Sequence, residues 1–247
     1  KVSLENLGIP SKDFDFEGAM NLNLNIKRSP TDNTLKFDGF VDDFVMNDVD
    51  MGSLRFFTSG NTQLNSYEVN LLLSEQGRST LSAKGNILRF DQSPRLDLDF
   101  SFNDFDLSFL TPIGGGNIDD IRGKVTGNVN LWGAIDAPKH DGQLILNEGG
   151  LGVPYINTDY RFSNGTRITL VDQSFNFNKT TLTDTRFGTQ AELVGEINHL
   201  NFSDWDFDLN IASDRILMLN ITEDEDEVFF GVGFLAGKVH LYGPSKN

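Results

Sequence analysis

The side chains best suited to chemistry in this chain are few and poorly spaced for it. Glu223-Asp224-Glu225-Asp226-Glu227 is its densest group of carboxylates, and a hard cation such as calcium favours several carboxylate oxygens at once. A calcium loop alternates acidic ligands with spacers and sets a glycine and a distant glutamate at fixed offsets. This run lacks that spacing and reads as a solvated hairpin tip. His140, His199 and His240 are the only histidines. No two share a ligand-like spacing, so each is expected to be an ordinary polar residue. The absence of cysteine removes thiolate nucleophiles, disulfides and cysteine-zinc sites together.

No Gly-x-Ser-x-Gly elbow presents a serine nucleophile. Gly231-Val232-Gly233 with Gly237 echoes a dinucleotide loop, but no amphipathic helix follows to receive a phosphate. In alternating strands such glycines mark kinks or narrow places on the inner face. Carboxylate pairs abound on polar faces, whereas a glycosidase needs two that converge in one cleft. The sequons at Asn164, Asn178, Asn201 and Asn220 are what chance gives in an Asn-rich chain. The chain is therefore read as non-enzymatic, without cofactor or metal.

The 247 residues suffice for one large domain or two small ones. With 36 acidic against 20 basic side chains, the net charge of -16 argues against nucleic acid or an anionic membrane surface as the main partner. At 38% hydrophobic the chain is too apolar for disorder. Its longest mostly apolar run, Val228 to Ala236, is far short of the roughly twenty residues of a spanning helix. It starts at Lys1 with neither initiator methionine nor signal peptide, as a mature product or an excised fragment would. The unusual feature is 21 phenylalanines in so acidic a chain.

The elements that must position these residues are strands. From Phe14 to Ile26 the even positions are Phe14, Phe16, Gly18, Met20, Leu22, Leu24 and Ile26, while the odd ones are Asp, Glu or Asn except Ala19. Period two marks a strand with one dry face and one wet face. The same alternation returns in Tyr67, Val69, Leu71 and Leu73, in Leu81, Ala83, Gly85 and Ile87, and in Leu96, Leu98, Phe100 and Phe102. Ile121, Val125, Val129 and Leu131 share a phase with three glycines. Further sets are Ala191, Leu193, Gly195 and Ile197, then Trp205, Phe207, Leu209 and Ile211. Short turn signals such as Gly114-Gly115-Gly116-Asn117 and Ser163-Asn164-Gly165 separate strands. With no helical stretch long enough for crossovers, an antiparallel meander follows.

One phase slips. Leu96 to Phe102 runs on even numbers and Phe105, Leu107 and Phe109 on odd ones. Either a bulge at Asn103-Asp104 keeps both halves inward, or Phe105, Phe109 and Leu110 begin a short helical turn before Pro112. The cover of the dry face is also open: a sandwich or barrel closes it on itself, and a sheet folded part-way leaves an apolar trough. A sandwich adhesin or glycan-binding domain would favour exposed aromatic platforms, but Trp132 and Trp205 are both assigned to apolar phases.

The order of elements after about Leu107 is more specific. Ile118-Asp119-Asp120-Ile121-Arg122-Gly123 leads to Gly127-Asn128-Val129-Asn130-Leu131-Trp132-Gly133, then Pro138, then Gly142-Gln143-Leu144-Ile145-Leu146, then Val153-Pro154-Tyr155 through Tyr160-Arg161-Phe162. The chain ends on Trp205-Asp206-Phe207-Asp208-Leu209, Leu219-Asn220-Ile221-Thr222, Phe229-Phe230-Gly231 and Gly237-Lys238-Val239-His240-Leu241-Tyr242-Gly243. This order resembles the C-terminal periplasmic region of the TamB family of the bacterial translocation and assembly module, in its Bacteroidota form. That family is similar to the AsmA group and to bridge-like lipid transfer proteins. The resemblance covers residues 107–247 clearly; residues 1–106 share only strand character.

The resemblance implies an all-β fold: a long antiparallel sheet curled into an open β-taco, a U-shaped groove with an apolar interior. Residues 1–247 would then be one elongated segment of a larger protein anchored in the inner membrane of a Gram-negative bacterium and lying in the periplasm. The groove would carry phospholipid acyl chains between the inner and outer membranes. The C-terminal region of the full protein would meet an Omp85-type outer-membrane barrel, similar to BamA or TamA. The same resemblance allows a scaffold for outer-membrane protein assembly, with sheet edges pairing to nascent strands. The fragment itself would be monomeric.

Under the groove reading the lining comprises Phe14, Phe16, Met20, Leu22, Leu24, Ile26, Val69, Leu71, Leu73, Leu96, Leu98, Phe100, Phe102, Val125, Val129, Leu131, Leu144, Leu146, Leu193, Ile197, Trp205, Phe207, Leu209 and Ile211. A sixteen-carbon tail is disfavoured in water by about 13 kcal/mol, at roughly 0.8 kcal/mol per CH₂. An apolar lining need only replace the bilayer interior, without a polar constellation. About sixteen strands at roughly 4.8 Å would extend on the order of 75 Å.

Overall fold

A computed structural model describes residues 14–29, 33–89, 93–221 and 230–244. The acidic run Glu223 to Glu227 lies outside the described residues. The architecture is all-β, as the period-two sequence requires. Its strands are β1 (Phe16–Arg28), β2 (Asn33–Met46), β3 (Val49–Gly60), β4 (Ser66–Glu75), β5 (Arg78–Leu88), β6 (Arg95–Asp106) and β7 (Asp119–Ala134). They continue as β8 (Ala137–Val153), β9 (Thr158–Phe162), β10 (Thr166–Asp172), β11 (Ser174–Asp184), β12 (Gln190–Leu200), β13 (Ser203–Ile221) and β14 (Gly231–Pro244). These fourteen described strands, against about sixteen expected, form one sheet in the order 1-2-3-4-5-6-7-8-10-11-12-13-14. The pairings follow the antiparallel meander expected from the short connections.

The one departure from simple order is β9, which pairs with both β8 and β11. β9 and β10 share the slot between those two strands, interrupted at Ser163-Asn164-Gly165. That segment, a turn by sequence, keeps both neighbours: Ser163 N–H donates to Thr181 O at 2.9 Å and Gly165 N–H to Leu146 O at 3.0 Å. It breaks a strand without reversing the chain.

The slip after Phe102 is a kink within β6, and the helical turn offered as its alternative begins only at Ser108, beyond Phe105. β6 runs on through Asp106, and Asp104 takes the left-handed φ of 48°. This switches the inward phase, so Phe105 is buried with its ring edge-on to Phe102 at 5.5 Å. A separate 3-10 turn over Ser108–Gly114 follows, burying Phe109 and containing Pro112.

Packing divides the chain into two compact units: Lys1–Phe105 with Thr126–Gln143 and Val171–Gln173, and Asp106–Val125 with Leu144–Leu170 and Ser174–Asn247. The first buries Val41, Phe44, Met51, Leu73, Ala83 and Leu98; the second buries Val125, Leu146, Leu170, Leu193, Ile216 and Leu217. Each has its own core.

Candidate functional site

In the first unit the register alone builds an apolar surface, because directly opposed residues of neighbouring strands lie on one face. Four rows cross β1 to β6. The first is Met20, Val41, Leu54, Leu73, Leu81 and Phe102, and the second is Leu22, Gly39, Phe56, Leu71, Ala83 and Phe100. The third is Leu24, Phe37, Thr58, Val69, Gly85 and Leu98, and the fourth is Ile26, Leu35, Gly60, Tyr67, Ile87 and Leu96. Only Thr58 and three glycines interrupt apolar side chains. Phe14 stacks on Phe16 and Phe16 on Phe44, at 6.3 and 6.1 Å, at one end of β1.

Cover over this face is uneven. Val41 and Leu73 in the first row are 1% and 2% exposed, whereas Leu24 and Ile26 on the outermost strand are 57% and 54% exposed. Uncovered leucine and isoleucine in register with a buried row form an apolar patch rather than scattered surface residues. The other side of the same strands is polar. Asn23, Asp38, Phe57, Asn70, Lys84 and Asp99 form one of its rows. A broad concavity of about 880 Å³ opens there among Asn23, Asp38, Arg55, Asn70 and Lys84. The apolar side is thus covered along its first row and open at its margin on β1. Val129 is buried and Leu131 half-buried in β7, but Trp132 is a correction: it takes the opposite phase to Leu131, is exposed, and has Lys139 Nζ 5.5 Å above its ring.

The second unit repeats the logic. Phe175, Ile197, Phe207 and Gly243 form one row, Phe177, Gly195, Leu209 and Leu241 the next, and Thr180, Leu193, Ile211 and Val239 a third. Trp205 packs beside Phe175 at 6.2 Å and His199 at 5.2 Å. Leu144, Leu146 and Val125 are buried in this unit's core. From Leu193 the face continues through Ala191 and its partner Leu182 to Phe162, and thence along β9 to Tyr160 and Thr158, whose partners on β8 are Leu151 and Val153.

The far part of β13 crosses this end. Tyr160 Oη donates to Leu217 O at 2.7 Å, and Asn157 and Asn220 exchange side-chain-to-main-chain hydrogen bonds. Arg186 Nη1 also donates to Asn220 Oδ1. Burial pushes the Tyr160 phenol above its usual pKa. Beside it, the fully buried Asp184 carboxylate accepts N–H bonds from Arg186, Phe187 and Thr189 and the Thr189 hydroxyl. Burial drives its pKa up, but these bonds outweigh burial and hold it below the ordinary value. These polar groups fold the β11–β12 connection; the residues along the rows are mostly apolar, with Thr158 and Thr180 the buried hydroxyls among them.

The three histidines, expected to be ordinary polar residues, differ in exposure. His140 is 1% exposed in the inward phase of β8, and burial lowers its pKa against a main-chain hydrogen bond and the charges of Asp172 and Asp141. His199 is buried and its Nδ1 accepts the Phe202 N–H at 3.0 Å. His240 is exposed against Asp208 Oδ1 at 2.8 Å. Among the described residues no three His, Asp or Glu side chains gather as a metal site.

No family model, curated protein or solved structure matches the chain.

The rows also contain residues that sequence reasoning passed over: Leu35, Phe37 and Val41 of β2, and Leu54 and Phe56 of β3. Their alternation is present, but Phe40 and Phe57 on the polar side interrupt it. In a sheet with mixed outer chemistry, only register separates the two sets.

Proposed function

We propose that this chain is a segment of a TamB-like envelope protein, each of whose units holds phospholipid acyl chains against its apolar sheet face. The observation that supports this is the four-row face of the first unit, apolar at nearly every position yet uncovered at Leu22, Leu24 and Ile26. A sealed core would bury those side chains. An acyl chain laid across the rows would remove them from water, at about 25 cal/mol for each Å² of apolar surface. Contact of this kind is non-directional, which suits a ligand that must move along the surface. The TamB resemblance supplies the remainder of the reading: a periplasmic position in an inner-membrane-anchored protein, passage of phospholipid between the two membranes through a taco-like groove, and an Omp85-type barrel as partner.

Native mass spectrometry of the purified chain is expected to find co-purified phospholipid. Leu71→Asp in the middle of the face and Leu24→Asp at its uncovered margin should each reduce bound lipid, while Asn70→Asp on the polar side should not. Leu24 is more than half exposed, so that variant tests binding without threatening the fold. Undiminished lipid on a folded Leu24→Asp, Leu71→Asp double variant would falsify the reading.

The scaffold reading has its own observation. β1 and β14 end the strand order, so each has one edge without a partner strand among the described residues. An incoming strand could pair there. Proline at Asn23 should abolish strand capture at β1 and spare lipid binding if the scaffold reading is correct.

A further inference from the structure

The apolar face of the second unit ends in a cleft of about 360 Å³. Val153, Thr158 and Leu217 line its inner part, and Asn157, Asn220, Asp119 and Arg186 its outer part. Asp120 and Asp159 also border it, but Arg122 bridges both, at 2.7 and 2.8 Å. That guanidinium offsets one of the two charges, and outside this bridged group the rim carries Asp119 and Arg186 as opposite charges. Among the described residues the Arg186 guanidinium meets the Asn220 amide and, at 5.5 Å, the Phe187 ring.

Thr158 is the second observation. It is 6% exposed, and its Oγ1 is buried without a hydrogen-bond partner. The neighbouring Tyr160 phenol donates to Leu217 O. A buried hydroxyl without a partner is costly and marks a place where a ligand atom would satisfy it. The cleft therefore offers a carboxylate, a guanidinium and an unsatisfied hydroxyl, beside the apolar row of Tyr160 and Leu151.

We propose that this cleft binds a phosphoethanolamine group, with its ammonium at Asp119 and its phosphate at Arg186 and Thr158. Arginine presents several N–H donors to phosphate oxygens in a fixed fork, and the Thr158 hydroxyl adds one more donor. A purely anionic head would leave Asp119 opposed to like charge, and a purely cationic one would leave Arg186 unmet. The adjoining apolar row makes a phospholipid head the expected source. That choice rests on the acyl-chain reading above, whereas the zwitterion recognition does not.

The test uses the whole chain, stripped of lipid, and isothermal titration with three probes: dihexanoyl phosphatidylethanolamine, dihexanoyl phosphatidylglycerol and free O-phosphoethanolamine. The ethanolamine lipid should bind about tenfold more tightly than the glycerol lipid, and Asp119→Asn and Arg186→Gln should each weaken it about tenfold. Thr158→Val should weaken it less, with an unchanged melting temperature as the check on folding. Equal affinity for the two lipids, insensitive to Asp119→Asn, overturns the cleft and leaves the acyl-chain reading standing. Binding of O-phosphoethanolamine without either lipid upholds the cleft for a soluble ligand and overturns the lipid source. Failure of all three probes overturns both.

Discussion

Asn157 and Asn220 hold each other's main chains: Asn157 Nδ2 donates to Asn220 O at 2.8 Å and Asn220 Nδ2 to Asn157 O at 3.2 Å. The two residues are 63 positions apart and join the turn after β8 to the end of β13. Asn157 can serve because it takes the left-handed conformation, φ 48°, at the end of the 3-10 turn Pro154–Ile156, a region asparagine enters more readily than most residues. The pair fixes β13 across β9, next to the Tyr160 bond to Leu217.

Asn220→Ala removes both a donor to Asn157 and the acceptor of Arg186. Asn220 is 8% exposed, so water can replace little of this, and the expected loss is about 2 kcal/mol. Guanidinium unfolding measures it, and amide exchange should quicken over Leu217 to Ile221 before the rest of the unit. A change under about 0.5 kcal/mol, the range of ordinary surface substitutions, would mean that apolar packing of Ile216 and Leu217 holds the crossing alone.

Asp184 gives a pH dependence with a definite sign. Its folded pKa lies below the value of about 3.9 for an unfolded aspartate. Its contribution is therefore complete above the unfolded value and is lost as pH falls through the folded one. Asp184→Asn keeps an oxygen for the Arg186 and Phe187 N–H groups but turns an NH₂ toward the Thr189 N–H, which now meets a donor. The variant should be less stable by about 1–3 kcal/mol at neutral pH. The gap between the two proteins should narrow in acid below about pH 4. His140 is present in both, so its titration cancels in the difference. A gap that stays constant down to pH 2 would assign the effect to geometry and not to charge.

These two sites differ in how far the sequence announces them. Asp184 sits in Asp-Thr-Arg-Phe-Gly-Thr, and an aspartate ahead of a glycine-containing turn is a local signal for a side chain that caps its own loop. Nothing local points Asn157 at Asn220, since that contact depends on how β13 bends. The same division holds for the strands. Period two was plain in β1, β4, β5, β6, β7, β12 and β13, where one face is dry and the other polar. It was obscured in β2 and β3 by Phe40 and Phe57. The burial of His140 is legible in its phase with Leu144 and Leu146 in β8, which residue type alone does not reveal.

Gly39 tests the apolar face directly. A Cβ added there would lie 2.1 Å from the Phe56 Cζ, inside the ring's own volume. Phe56 thus rests on the bare backbone of β2, with Phe37 5.2 Å away, and fills the place that a side chain at Gly39 would take in its row. The glycine is required by close approach, since its φ is not in the left-handed region. Gly39→Val should destabilise the first unit by about 1–3 kcal/mol through overpacking. Phe56→Ala alone should also cost stability, by vacating the space above the glycine. The double variant then decides the mechanism. If valine occupies the volume that Phe56 leaves, the two losses should be less than additive, with a coupling above about 0.5 kcal/mol in thermal or denaturant unfolding. Simple additivity would show that Gly39 is needed for some property of β2 other than the ring above it.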